Sequence, residues 1–256
     1  MKRLRFAFIT TMEYSAPVCA HQLALRCLPL ADNSQHFENL TVKIKPGMLP
    51  TPQKDGFGNT VYWCSINTPH TVLHYGSRGI IRVEEPGLAA APAPNPCLRF
   101  AGLRTVPGPV LLNIFRAMPR KLTLDSAAAL SSAVHSLLKY APGATSTCTT
   151  AEEALAKGEG VCQDYAQVFV ALARLAGWHA RYVMGLTIGE GTTHAWAEVY
   201  YNGAWYGFDP TRNCRTDAGY LRFATGRDSA DCPVEQGCFI GPAEQKQSVF
   251  MRVKEI

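Results

Sequence analysis

Asn202-Gly203 separates two β-forming runs, His194–Tyr201 and Trp205–Asp209, and no other dipeptide in this chain restricts its folding as tightly. A two-residue type I′ turn needs positive φ at both central positions, and Asn-Gly meets that need best. The turn also fixes register. Tyr201 pairs with Ala204, and stepping outward along both strands sets Trp196 opposite Asp209. His194 lies two residues from Trp196, so it shares that face of the ribbon, diagonal to Asp209. Diagonal neighbours sit roughly 7–8 Å apart at Cα, within reach of a His–Asp hydrogen bond. A slip of one residue would send the two side chains to opposite faces.

A histidine held by an aspartate is two parts of a nucleophilic triad, and the third stands upstream. Gly158-Glu-Gly-Val-Cys162 runs directly into a helical pattern. Tyr165, Val168, Phe169, Leu172 and Leu175 form its buried stripe, and Gly177 suits the residue after its C-cap. Gly158 and Gly160 permit tight backbone conformations just before Cys162. A sulfur in the first helical turn faces unpaired N–H groups and the positive end of the helix dipole, a setting that makes thiols reactive. Those amides suit an oxyanion equally well. Cys162, His194 and Asp209 therefore read as nucleophile, base and orienter, and the chemistry as acyl transfer through a thioester.

Each residue alone has a plainer reading. An isolated cysteine is usually a small buried hydrophobe, a histidine a core or surface group, and Asp209-Pro210 a turn. Their joint placement favours catalysis. Gln163 is a candidate amide donor to the oxyanion. Asp164 reads first as a helix-start carboxylate satisfying amides, and second as a substrate contact. Trp196 is a candidate substrate-binding residue. The six other histidines have no comparable setting, and packing is the better reading of His179.

The fold class is α+β, with three segments. Residues 1–85 form a β-rich module, with alternation at Leu4–Thr11, Gln22–Leu28, Leu40–Ile44, Val61–Ser65 and Ile80–Val83. Asp55-Gly56-Phe57-Gly58-Asn59 is a turn between strands, and the spacing suggests a sandwich or small barrel. Residues 86–119 are a connector, proline-rich and extended as far as Pro96. Residues 120–256 are the catalytic core. Its first helix covers Thr123–Tyr140, with apolar Leu130, Val134, Leu137 and Leu138, and Pro142-Gly143 stops it. Thr150-Ala-Glu-Glu153 is a capping box. Ala180–Thr187 is a strand, and Ser248–Val253 is expected to complete the hairpin's sheet.

Composition closes off other classes. Hydrophobic residues make up 47% and charged residues 18%, ordinary for a globular protein, and the net charge of +5 is scattered. Without a basic stripe carrying interleaved aromatics, nucleic-acid binding has no support. No apolar run reaches the roughly 18 residues that span a bilayer. The basic start, Met1-Lys-Arg, leads into an apolar stretch shorter than the roughly 7–15 residues of a signal peptide. A cytoplasmic location is expected. Nine cysteines, an odd number with no C-x-x-C spacing, fit neither a disulfide framework nor a zinc site. Cys214, Cys232 and Cys238 come nearest to a metal set, but free thiols are the better reading, and no metal or other cofactor is expected.

These motifs resemble the transglutaminase-like superfamily, in particular bacterial members described as cysteine proteases. Gly160-Val-Cys162-Gln-Asp164-Tyr-Ala166 looks like its nucleophile motif, Thr193-His194-Ala-Trp196-Ala-Glu198-Val its histidine motif, and Trp205-Tyr-Gly-Phe208-Asp209-Pro210-Thr211 its aspartate motif. Ala176–Val183 and Gly226–Asp231 resemble the family more loosely, and residues 4–85 resemble the β-rich region found before this core. The resemblance implies a papain-like core with Cys162, His194 and Asp209 in the roles already assigned. It implies peptide or protein substrates bearing glutamine or other amide groups, with hydrolysis and transamidation both open. A non-catalytic protein-binding module retaining the triad is the alternative. Unlike animal transglutaminases, this chain has no tryptophan between Trp63 and Trp178 to hold an oxyanion. It has no acidic calcium loop either.

Overall fold

The computed structural model describes residues 1–118 and 121–256. The expected boundary between connector and catalytic core, at 119/120, lies outside the described residues. Five strands open the chain: β1 (Lys2–Leu25), β2 (Gln35–Lys45), β3 (Gln53–Lys54), β4 (Thr60–Ile66) and β5 (His70–Val83). Then come α1 (Pro109–Arg116), α2 (Leu124–Leu137), β6 (Lys139–Tyr140), α3 (Ala151–Lys157), β7 (Glu159–Gly160) and α4 (Cys162–Leu175). The strands that follow are β8 (Ala180–Thr187), β9 (Gly189–Gly191), β10 (His194–Tyr201), β11 (Ala204–Asp209), β12 (Cys214–Arg215) and β13 (Tyr220–Gly226), and β14 (Glu235–Ile240) and β15 (Gln245–Glu255) end the chain.

β1 is the spine of the N-terminal module. Its first half pairs with β5 and β15, and its second half with β4 and β14. Between the halves the register breaks, and Ala20 takes a φ of 47°. The expected separate strands Leu4–Thr11 and Gln22–Leu28 are thus one bent strand of 24 residues. A bulged bend interrupts alternation as a turn does, so the pattern alone does not distinguish them. Phe6, Phe8, Tyr14, Leu73, Tyr75, Ile81 and Val253 pack into the core that this arrangement encloses.

Ser248–Val253 does not join the hairpin's sheet. It lies within β15, which pairs with β1 from Leu4↔Glu255 to Tyr14↔Gln245. Met251 and Val253 are buried against the N-terminal core. Period-two alternation shows that a strand has one buried face, and says nothing of which sheet it joins. β9 pairs with β15 too, so the loop that delivers His194 is tied to the N-terminal sheet.

The second, five-stranded sheet runs in the order β12-β11-β10-β8-β13. The hairpin has the expected register, from Tyr201↔Ala204 to Ala197↔Phe208, with Asn202 and Gly203 at φ 46° and 85°. α4 lies against this sheet, and α1, α2 and α3 also pack on it. It is therefore buried all round rather than along one stripe, including Gln167 and Arg174. Arg174 is accommodated by donating to the carbonyls of Leu98 and Ala180, each at 2.8 Å.

The helix expected over Thr123–Tyr140 ends at Leu137. Lys139 and Tyr140 turn instead into a parallel bridge with Glu159 and Gly160. Extended backbone pairing beside the loop before Cys162 has displaced the last helical turn. The Thr150 capping box forms as expected, Thr150 N–H donating to Glu153 at 2.8 Å and Glu153 N–H to Thr150 Oγ1 at 3.2 Å. The connector contains a helix that the sequence reading did not assign, α1, whose first N–H groups are held by the Glu152 carboxylate at 2.6–3.1 Å. Its proline-rich part lies on the five-stranded sheet, with Ala91 N–H donating to the Gly203 carbonyl at 2.8 Å. Between that strap, residues 30–35 and the polar face of the sheet is a cavity of about 720 Å³. Among the described residues no helix is long and apolar enough to cross a membrane.

Candidate active site

Cys162 opens α4 and is half-buried. Val161 before it is extended, at φ −116° and ψ −178°, which turns the chain sharply into the helix. The carboxylate of Asp164, one turn on, holds this entry. Its Oδ2 accepts Val161 N–H at 2.8 Å and the Thr145 hydroxyl at 2.6 Å. Gly160 is required by the same packing, because a Cβ there would stand 2.7 Å from Asp164 Cβ. The N–H groups of Cys162 and Gln163 have no hydrogen-bond partner among the described residues. They are the unpaired donors of a helix start, directed at the surroundings of the sulfur.

Across from this loop, His194 Nε2 donates to Asp209 Oδ2 at 2.7 Å. The register that sets the pair on one face is the one the Asn202-Gly203 turn imposes. Burial alone would lower the pKa of His194. The hydrogen bond to Asp209, the nearby Cys162 side chain and the charges of both outweigh it and raise it to about 9.

Asp209 is fully buried. Burial would raise its pKa, but the bond and charge of His194 lead a set of interactions that hold it below the ordinary carboxylate value. Its two oxygens divide two tasks. Oδ1 accepts Thr211 N–H at 3.0 Å and Arg212 N–H at 3.1 Å, closing the Asp-Pro turn. Oδ2 serves His194 and also accepts the Tyr220 hydroxyl at 2.9 Å. The plain turn reading of Asp209 describes Oδ1, while Oδ2 meets the His194 imidazole.

Asp164 and Trp196 are both fully buried. Asp164 takes the first reading given to it, a helix-start carboxylate satisfying an amide, and supports the backbone entering Cys162. Trp196 packs along the His194 ring, with centroids 6.3 Å apart, and donates its indole N–H to Glu198 at 3.4 Å. Gln163 is partly exposed, but its side-chain amide donates to the Ser146 carbonyl at 3.3 Å. Cys214 and Cys238 are exposed while Cys232 is buried, and no cluster of three metal-ligating side chains occurs among the described residues.

The sequence reading missed Tyr220, Arg212 and Thr145, which reach the site from separate loops and strands. It also missed the ion cluster beyond Trp196 on the same sheet face. There Arg181 donates to Glu198 at 2.5 and 2.8 Å, and Arg222 to Asp32 at 3.0 Å. Among these, only Arg212 had a nearby signal, standing three residues beyond Asp209 in a turn that an aspartate commonly closes.

A pairing of this kind, set on an α4 helix and a five-stranded sheet, defines a transglutaminase-like cysteine-enzyme fold. Residues 115–210 match the transglutaminase-like superfamily, and residues 4–82 the bacterial transglutaminase-like N-terminal region. The chain is similar to that superfamily over those residues. An uncharacterized protein of Mycobacterium tuberculosis is 29% identical over 272 residues, covering 91% of this chain and 83% of its own length. Another from Mycobacterium leprae is 24% identical over 279 residues, covering 100% of both chains. The crystal structure of a Cytophaga hutchinsonii protein, described as a putative cysteine protease, superposes with a TM-score of 0.78 at 19% identity. It covers 100% of this chain and 91% of that one. At that identity the likeness establishes the fold.

Proposed function

We propose that the protein catalyses cysteine-dependent acyl transfer on peptide or carboxamide substrates. Cys162 is the nucleophile, His194 the base and Asp209 its orienter. The observation that carries this reading is the 2.7 Å His194–Asp209 bond, together with a cysteine, Cys162, at the start of α4. The sulfur attacks the carbonyl carbon, and its proton resides on His194. The unpaired N–H groups of Cys162 and Gln163 take the tetrahedral oxyanion. Collapse of the intermediate breaks the C–N bond, and His194 gives its proton to the departing amine or ammonia. A thioester remains. His194 then takes a proton from water, giving an acid, or from a primary amine, giving a new amide, and Cys162 is released.

The substrates we propose are peptides or proteins bearing glutamine or other amide groups. The cysteine usage read from the sequence supports a cytoplasmic location. Incubation with glutamine-containing peptides, with and without a labelled amine, followed by mass spectrometry, tests the reading. Amine gain with ammonia loss identifies transamidation, chain cleavage a protease, and deamidation an amidase. Iodoacetamide labelling gives a second measure, since Cys162 should react faster than the exposed Cys97, Cys148, Cys214 and Cys238. No turnover, with Cys162 labelling no faster than those thiols, would leave the binding-module reading in its place.

A further inference from the structure

We propose that Tyr220 is a positioning residue of this triad. Its hydroxyl fixes Asp209 Oδ2 and limits how strongly that oxygen draws on His194, and so sets the pH range over which His194 exchanges protons. The catalytic meaning rests on the acyl-transfer reading, while the effect on His194 does not.

Four donors converge on the buried Asp209 carboxylate, two on each oxygen. Its orientation is therefore fully determined. On Oδ2 the Tyr220 hydroxyl, at 2.9 Å, competes with the imidazole, at 2.7 Å, for the same electron density. Removing one donor leaves a stronger acceptor for the other and favours imidazolium. Tyr220 is itself held from several sides. Its ring stands edge-on to Trp196 at 5.2 Å and lies 6.4 Å from the His194 ring. Arg212 donates to its oxygen at 3.3 Å, which polarises the O–H toward Asp209. Burial and the Asp209 charge push the phenol strongly upward, so it remains a donor.

Other charged or titratable groups face the pair from the elements around it, and His135 on α2 donates to the Pro210 carbonyl, next to Asp209, at 3.0 Å. Cys162 faces it from α4, Arg212 from the turn after β11, with Nε 3.8 Å from Oδ2, and Cys214 from β12, 3.5 Å from the Tyr220 oxygen. Tyr140 on β6 senses Cys162 and Arg212, and Glu198 lies on β10 beyond Trp196. Among the described residues, only His194 and Tyr220 donate hydrogen bonds to Oδ2.

Tyr220→Phe keeps the ring and deletes the hydroxyl. The His194 ring titration, followed by NMR on the resting protein, should move upward by about half to one pH unit, the worth of one hydrogen bond. The melting temperature should change little. An unmoved titration, or one that moves downward, overturns the proposal, and a lowered melting temperature with no titration change would make Tyr220 merely structural. Should Tyr220→Phe fail to fold, the natural sequence grown with 3-fluorotyrosine carries a stronger donor, and its His194 titration must move downward; no movement overturns the proposal. Iodoacetamide labelling of Cys162 in the natural protein separates the two readings. Slow labelling sinks the acyl-transfer reading and leaves the titration result standing.

Discussion

Asp164 offers a direct test of how the entry to Cys162 is held. Asp164→Ala removes the acceptor of Val161 N–H and of the Thr145 hydroxyl, at 2.8 and 2.6 Å. Loss of an N-terminal cap costs about 0.5–2 kcal/mol, and a buried donor left unpaired about 1–3 kcal/mol. These overlap, so the expected loss is about 2–4 kcal/mol, or roughly 5–15 °C in melting temperature for a chain of this size. Because the same carboxylate fixes the backbone entering Cys162, a displacement near 1 Å should slow acyl chemistry on the order of 10²-fold. Asp164→Asn behaves differently. Its amide oxygen can still accept both donors, and only its NH₂, at the site of the unpartnered Oδ1, goes unsatisfied. Burial raises the pKa of Asp164, which its hydrogen bonds to Thr145 and Val161 only partly offset. A group raised in the fold contributes most stability below its unfolded value, near 3.9 for aspartate, and loses it as pH rises through the folded value. The Asn variant should therefore gain on the natural protein as pH rises from about 4. Urea denaturation at pH 4 and pH 7, with Cys162 labelling on the same samples, measures both effects. An Ala variant within about 1 kcal/mol of the natural protein, or an Asn variant that loses ground as pH rises, would refute the account.

Three further outcomes follow from the same contacts. Asp209→Asn removes the charge behind His194, so its titration should fall from about 9 toward the ordinary histidine value, read by NMR, with turnover lowered on the order of 10³–10⁴-fold. Glu198→Ala leaves the nearly buried guanidiniums of Arg181 and Arg222 without their shared carboxylate and should cost about 3–5 kcal/mol in denaturant unfolding, with Glu198→Gln costing less. Because His194 is raised in the fold, it stabilises fully below its unfolded value near 6.5 and loses that contribution as pH rises through about 9. The stability gap between the natural protein and His194→Ala should shrink over that window, and a gap that widens would contradict the assignment.

What the sequence disclosed and what it concealed divide along the range of the forces involved. The Asn202-Gly203 turn acts over two residues, and from it the register, the shared face of His194 and Asp209 and their bond could be worked out. The Thr150 box and the start of α4 are equally local. The destination of β15 is not, because its alternation fits any half-buried strand and the choice of β1 depends on the finished N-terminal core. The burial of α4 on all sides was concealed for a similar reason. An apolar stripe reports one neighbour, and Arg174 satisfied by the Leu98 and Ala180 carbonyls gives no periodic sign of a second layer. Tyr220 is the sharpest case. It stands eleven positions beyond Asp209, on a strand that pairs with β8 and not with the hairpin. Its hydroxyl reaches Oδ2 only because β8 lies between β10 and β13 and sets both strands on one face. The proposed triad is read from a turn and a helix start, whereas the residue that would tune it depends on the order of the strands in the sheet.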